Sequence, residues 1–554
     1  MNDEYRKLVI LAILDGWGIA PEGPGNAIKK AKTLNFDRYW SSYPHTELSA
    51  SGQAVGLPRN EAGNTETGHL NIGAGRIVYQ DLARINMSIA DGSFFENKTL
   101  LAAVHHAKEN NSNLHLMGLI GAGGVHSNIE HLFALIRLIK MQNFENLYLH
   151  LFTDGRDSPP TASKFYIGQL KTVLNREKIG KIASIMGRYW AMDRDQRWER
   201  TKNAYDALVL GKGQLVKTPE EAVDISYADS KTDEFIEPSL VASDTGKPLG
   251  IIKDNDSVIF FNFRIDRPRQ LTKSFVLSDF ETKGSSTDFD PFEIEYSKKH
   301  EKKVASNSTF KREKVLKNIF FVTMTEYSKQ ITASPNTHVA FPPDIVELPL
   351  GRVVSINNML QLRIAESEKE RFVTFYINGM REETFPNEDR VIVPSKKVAT
   401  YDLAPEMSAY EITEKLLDKV KKNNYSLVIA NFANADMVGH TGSIGPAVKA
   451  CEVVDESIGK IANFVLAFGG TFIITADHGN AEEMINPANG EVDTEHSKNS
   501  VPFIAISKDY LGKPSMLPKG ILADIAPTIL SLLDLEIPGE MTGRDLLKEL
   551  KNQR

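Results

Sequence analysis

The sequence predicts an α/β protein built on mainly parallel sheets. Short, continuous apolar runs recur along the chain, and amphipathic helical patterns lie between many of them. A strand without polar alternation is buried on both faces, which is the signature of a parallel sheet covered by helices. Almost every run also ends in Asp, His, Arg or Gly. In such sheets ligands bind beyond the carboxyl ends of the strands, so chemistry is expected there.

Taken in order, Leu8–Leu14 ends at Asp15. It follows Asp3 and Glu4 and lacks a small-residue cleavage site, so it reads as a buried strand rather than a signal peptide. Leu114–Ile120 leads into Gly121-Ala122-Gly123-Gly124-Val125-His126, and Leu147–Phe152 into Asp154-Gly155-Arg156-Asp157. Val258–Phe263 leads into Arg264, Leu427–Phe432 into Asp436, and Thr471–Thr475 into Asp477-His478. Met407–Val420 and Ala447–Phe464 carry helical patterns. Two stretches depart from the alternation. Residues 278–316 are polar and charged and read as a surface insertion. Val339-Ala340-Phe341-Pro342-Pro343 reads as a stiff connector, because paired prolines restrict the backbone.

The 554 residues suggest two to four domains, or two large ones, at roughly 100–200 residues each. A net charge of −7 argues against a nucleic-acid or anionic-membrane surface. The single cysteine, Cys451, rules out an internal disulfide and fits a reducing cytoplasm; it is expected to be a small buried residue. No apolar stretch approaches the roughly 18 residues of a membrane span.

The sharpest local pattern is Asp436-Met437-Val438-Gly439-His440, whose four-residue spacing puts Asp and His on one face of a helix or tight turn. Asp477-His478-Gly479 follows a buried strand, His496 lies in a nearby loop, and Asp15 ends the first strand. Each alone has a bland reading as surface, turn or loop; together Asp15, Asp436, His440, Asp477, His478 and His496 make a ligand set. Carboxylate and imidazole mixtures suit manganese or zinc, and two such ions with room for substrate oxygens suit phosphoryl chemistry. Thr65 sits in Gly63-Asn64-Thr65-Glu66-Thr67-Gly68-His69-Leu70, ahead of an apolar helical stretch. It reads either as a helix N-cap or as a metal-activated nucleophile whose negative charge the helix N-terminus favours.

These motifs, in this order, resemble the cofactor-independent phosphoglycerate mutases of the alkaline phosphatase superfamily. The likeness covers nearly the whole chain apart from 278–316. It includes Leu14-Asp15-Gly16-Trp17-Gly18, Gly68-His69-Leu70-Asn71-Ile72-Gly73-Ala74-Gly75-Arg76 and Gly187-Arg188-Tyr189-Trp190-Ala191-Met192-Asp193-Arg194-Asp195. It also includes Phe261-Asn262-Phe263-Arg264-Ile265-Asp266-Arg267, Ala365-Glu366-Ser367-Glu368-Lys369, Val398-Ala399-Thr400-Tyr401-Asp402 and Asn431–His440.

The resemblance implies interconversion of 3-phosphoglycerate and 2-phosphoglycerate, in glycolysis and gluconeogenesis, through a phosphoenzyme and without bisphosphoglycerate. It implies a phosphatase-like domain from about 1–79 and 342–554, with a phosphotransferase domain, about 80–341, inserted between and hinged at both crossings. One divalent ion would be held by Asp436, His440 and His496, the other by Asp15, Asp477, His478 and the nucleophile. Ligand type does not separate manganese, magnesium, cobalt and zinc, although carboxylates, imidazoles and a phosphate together favour manganese. The family's serine nucleophile is Thr65 here. By resemblance, His126, Arg156, Asp157, Arg188, Arg194, Arg264 and Arg267 grip the glycerate, Lys369 reaches the phosphate, and Asp157 is the general acid and base. Arg suits both anionic groups through its planar fork. The family likeness also suggests a monomer acting on a small molecule. A metal-dependent phosphatase or phosphodiesterase would share the metal motifs but need no glycerate-binding Arg set. A catalytically silent metal-binding protein is the remaining alternative, resting on the Thr65 change.

Overall fold

The computed structural model describes residues 7–121, 123–286, 309–514 and 517–551. The chain forms two compact units, one from Met1–Gln80 with Asp344–Arg554 and one from Asp81–Pro343. Each is built on an eight-stranded, mostly parallel sheet with helices around it.

In the first unit the strand order is Glu388–Val393, Leu360–Glu366, Tyr425–Phe432, Val9–Leu14, Thr471–Thr475, Val501–Ile506, His45–Ser49 and Gly520–Ile521. The first five strands are parallel, and Val501–Ile506 runs against both of its neighbours. Every residue of Val9–Leu14 is buried, as a central strand in a doubly covered sheet requires. Leu14 pairs with Phe432, and Ile13 with Thr475. Three strands therefore end side by side and deliver Asp15, the Asp436 helix and Asp477-His478 to one edge. The Met407–Val420 and Ala447–Phe464 patterns form the helices Ala409–Lys422 and Ile444–Phe468. Cys451 is buried on the second.

The second unit's order is Thr337–Phe341, Phe320–Thr325, Ser257–Phe260, Leu114–Ile120, Leu147–Thr153, Lys181–Gly187, Ser239–Val241 and Gln214–Val216. Ile120, Thr153 and Gly187 are aligned by the pairing register. Asp154–Asp157 and Arg188 thus leave the sheet from neighbouring strand ends. Apolar clusters cover both faces of this sheet.

Three expectations need correction. The run Val258–Phe263 is strand only to Phe260. Beyond it Asn262 Oδ1 accepts the Leu119 N–H at 2.9 Å. A side chain thus replaces the backbone partner, and the chain turns toward His126, whose carbonyl accepts from Phe263 N at 2.9 Å. The supposed connector at Val339–Phe341 is the end of a strand paired with Phe320–Thr325; only Pro342 and Pro343, which lack an N–H, leave the ladder. The flanks of 278–316 are core rather than surface insertion: Phe280, Phe310 and Leu316 are buried. Arg312 is buried too, paired twice with Glu281 at 2.9 Å and donating to the carbonyls of Ser274 and Leu277 at the end of the helix Arg269–Val276. A cation on these orphan carbonyls offsets the negative helix end. Residues 287–308 of that stretch, and Ala122, lie outside the described residues. Among the described residues no helix is long and apolar enough to cross a membrane.

Candidate active site

In the first unit the loops at the sheet edge converge on one polar centre, buried at Asp15, Asp436, Asp477 and His478 and open to solvent at His440. Asp15 accepts the Asp436 N–H through its backbone carbonyl at 3.0 Å. The approach requires Gly16: its φ is +75°, and a Cβ there would lie 2.6–2.8 Å from Asp436. The helix Asn434–Gly439 sets Asp436 one turn before His440. Asp436 Oδ1 lies 3.2 Å from His440 Nε2 and 3.3 Å from His496 Nε2, and the two ring nitrogens are 3.1 Å apart. His440 Nδ1 donates to the Thr494 carbonyl at 2.6 Å and His496 Nδ1 to the Gly63 carbonyl at 2.9 Å. In the neutral rings both Nε2 atoms then carry lone pairs, directed at each other and at a carboxylate. A divalent ion suits that arrangement, and carbonyls behind ligating imidazoles are a common supporting shell.

Asp15, Asp436 and His478 form a second convergent group, and Asp15, His69 and Asp477 a third. His478 Nε2 is 3.5 Å from oxygens of both Asp15 and Asp477 and 2.8 Å from Thr65 Oγ. Asp477 Oδ1 accepts the backbone N–H of His478 at 3.1 Å, whereas its Oδ2 is buried without a hydrogen-bond partner. Lys369 Nζ lies 2.8 Å from Asp15, 2.7 Å from Asp436 and 3.1 Å from Thr65 Oγ. Three fully buried carboxylates therefore face one ammonium. Burial penalises that excess of negative charge, so the donor set fits added cations. The electrostatics agree. Burial opposes charge on His478, but Asp477, Asp15 and Asp436 together push its pKa up to about 9. Burial opposes ionisation of Asp436, yet Lys369 and the imidazoles hold its carboxyl well below the usual range. His440 is raised, chiefly by its hydrogen bond with Asp436.

Thr65 is the first residue of the helix Thr65–Ala74 and not its cap. Asn64 caps the helix by accepting the Thr67 N–H at 2.9 Å. The Thr65 hydroxyl is thereby left to face His478 and Lys369 at a helix N-terminus, where negative charge is favoured.

The second unit gathers the Arg motifs. A cleft of about 170 Å³ is lined by Arg156, Arg188, Arg194, Arg197, Arg200 and Arg267, with Asp193, Asp195 and Glu234 among its walls. Arg188 is buried and donates to Asp154 and Asp157, both at 2.5 Å. Asp266 joins Arg194 at 2.7 Å to Arg264 at 3.1 Å. His126 lies 3.6 Å from Asp157 and 3.7 Å from Asp266. His126, Asp157 and Arg264 do not line the cleft but touch its Arg walls through these carboxylates. Burial first, then Arg188, pulls the His126 pKa down to about 4. Arg267 is lowered by burial and by the neighbouring Arg188 and Arg194. The Nε atoms of Arg188 and Arg267 are buried without partners. Such a cleft favours a small polyanion. Burial opposes the Asp157 charge, but Arg188 outweighs it and lowers the carboxyl pKa. The Arg156 guanidinium lies 3.7 Å from Glu234.

Lys369 stands with the metal-type ligands of the first unit rather than with the Arg group. Several residues were not singled out by the sequence: His69, Asn431, whose amide donates to Asp15 Oδ2 at 2.7 Å, and Asn480, whose amide donates to Asp436 Oδ1 at 3.1 Å, in the first unit, and Asp154, Asp266, Arg197 and Arg200 in the second. A signal existed for some. His69 follows Thr65 at the same four-residue spacing that singled out Asp436 and His440, and Asp154 and Asp266 sit within the Arg motifs.

Residues 85–329 match the family described as BPG-independent PGAM N-terminus. The chain is 49% identical over 543 residues to the 2,3-bisphosphoglycerate-independent phosphoglycerate mutase of Clostridium acetobutylicum, covering 98% of this chain and 100% of that one. It is 48% identical to the enzyme of Moorella thermoacetica, with 98% of each chain covered. The crystal structure of Leishmania mexicana phosphoglycerate mutase at low cobalt concentration aligns with a TM-score of 0.57 and 28% identity, covering 98% of both chains. The chain belongs to the 2,3-bisphosphoglycerate-independent phosphoglycerate mutases.

Proposed function

We propose that this protein interconverts 3-phosphoglycerate and 2-phosphoglycerate, without bisphosphoglycerate, by carrying the phosphoryl group on Thr65. The observation that supports this most is a hydroxyl at a helix N-terminus, 2.8 Å from His478 Nε2 and 3.1 Å from Lys369 Nζ, beside three buried carboxylates. Asp436, His440 and His496 would hold one divalent ion, and Asp15, Asp477, His478 and Thr65 another. Bound ions supply charge neutralisation and a lowered hydroxyl pKa, and the donor chemistry favours manganese.

Thr65 Oγ, having released its proton to solvent before turnover, attacks the phosphorus in line and is regenerated as the same oxyanion when the phosphoryl group leaves it. The new O–P bond forms as the bond from phosphorus to the substrate's 3-oxygen breaks. Lys369 Nζ offsets charge on the transferring oxygens. His126, Arg156, Arg188, Arg194, Arg264 and Arg267 orient the glycerate, and Asp157, which takes a proton from solvent against the pull of Arg188 before the first turnover and regains it from the 2-hydroxyl at the end of each one, protonates the departing 3-oxygen. After the glycerate turns, Asp157 removes the 2-hydroxyl proton and that oxygen takes the phosphoryl group from Thr65. The Arg188 pair keeps Asp157 ionised between these events, which suits the second proton transfer.

The reading extends to a monomer acting in the cytoplasm, in glycolysis and gluconeogenesis. It is supported by the lone buried cysteine, the net charge and the family. Metal-free protein given 3-phosphoglycerate and manganese, with 2-phosphoglycerate and free phosphate followed together, tests the proposal. Metal-dependent 2-phosphoglycerate with little phosphate is expected. Mainly free phosphate would replace the reading with a phosphatase.

A further inference from the structure

We infer that His69 is a positioning residue that locks the Thr65 turn to the carboxylates of the metal-type centre, and is not itself a metal ligand. The inference rests on the reading of Thr65 as phosphoryl acceptor. By proximity alone His69 resembles a ligand, because it is fully buried and groups with Asp15 and Asp477. Its hydrogen bonds exclude that role. Nδ1 faces the Thr65 carbonyl at 2.9 Å, an oxygen that can only accept, so Nδ1 carries the proton. Nε2 faces Asn431 Nδ2 at 3.1 Å. The same Asn431 nitrogen donates to Asp15 Oδ2 at 2.7 Å, which fixes the amide's orientation, so the Nε2 lone pair is used as well. Neither ring nitrogen is left to bind an ion.

The ring bridges three functional groups. One side holds the backbone carbonyl of Thr65, one helical turn earlier. The other reaches Asp15 through Asn431. Its Nδ1 edge lies 3.2 Å from Asp477 Oδ2, the oxygen without a hydrogen bond. His69 therefore sets the distance between the reacting hydroxyl and two expected metal ligands.

The test compares His69→Phe with His69→Asn in the full-length protein, by calorimetry with manganese alone and by mutase kinetics. The Asn amide nitrogen can take the place of the Nδ1 donor. Asn71, in the same helix, already makes this bond to the Thr67 carbonyl at 2.7 Å. For His69→Phe we expect two ions still bound, affinity weakened roughly 10- to 100-fold, kcat reduced and KM unchanged. His69→Asn should recover most of both losses. Wild-type behaviour of His69→Phe would overturn the inference, as would loss of one of the two ions or an Asn variant as impaired as the Phe variant. If the wild type makes no 2-phosphoglycerate, the functional reading fails, and the calorimetry still decides the role of His69.

Discussion

The two polar centres are built on the same plan and carry opposite charge. In each, neighbouring parallel strands end together and release chemically active residues at one edge. The first unit gathers buried carboxylates and imidazoles around a single lysine. The second gathers six guanidiniums around a cleft, each acid nearby already paired or shared. One centre is short of cations and the other of anions. The contrast teaches that strand-end geometry sets where chemistry sits, while residue choice sets the charge gathered there: buried carboxylates in one unit, guanidiniums in the other.

Substitutions can break this contrast, and the largest effect is expected at the nucleophile. Thr65→Ala should lower mutase kcat by roughly 10³-fold or more, by analogy with removal of other nucleophiles, and by calorimetry should weaken the manganese ion proposed for Asp15, Asp477, His478 and Thr65 while sparing the one proposed for Asp436, His440 and His496. Wild-type turnover would exclude Thr65. Asp157→Asn should reduce kcat by about 10²- to 10⁴-fold, the usual span for a general acid–base group, without disturbing manganese binding. Stopped-flow turnover and calorimetry on one preparation separate the two effects, and unchanged turnover sinks the acid–base role.

Arg188→Met should act on both folding and binding. It leaves Asp154 buried without its cation, a loss of about 3–5 kcal/mol measurable by urea unfolding. Wild-type stability would mean that Asp154 finds another partner. A smaller effect is expected with pH. Burial holds His131 at a pKa of about 4, and burial with Arg188 does the same for His126. Unfolded histidine titrates near 6.5. Between these values the unfolded chain binds more protons, so their stabilisation is full above pH 6.5 and is lost as pH falls toward 4. Each should lose roughly 2 kcal/mol between pH 7 and pH 5. His131→Gln should flatten that slope in denaturant titrations; an unaltered slope would show that His131 does not titrate on unfolding.

Much of this architecture was legible in the sequence because buried parallel strands leave continuous apolar runs. Leu114–Ile120 and Thr471–Thr475 are strands with the bounds their apolarity marks. What stayed hidden depended on side chains doing backbone work or on distant partners. The strand at Val258 stops at Phe260 because Asn262 takes a backbone N–H, which no apolar pattern reveals. The charged composition around Arg312 concealed a buried clamp, since an Arg reads as surface until its acceptors are known. His69 passed unremarked because its partner Asn431 lies 362 positions away. The Asp and Arg motifs were readable as chemistry, whereas the charge balance of each centre needed three-dimensional proximity.

Whether Thr65 carries the phosphoryl group is decided by mass spectrometry of the manganese-loaded protein quenched in acid during turnover of 3-phosphoglycerate. A phosphoryl group is expected on the Thr65 peptide, absent without metal and absent from Thr65→Ala. An unmodified Thr65 peptide in samples that are forming 2-phosphoglycerate, or a phosphoryl group on another residue, would contradict it.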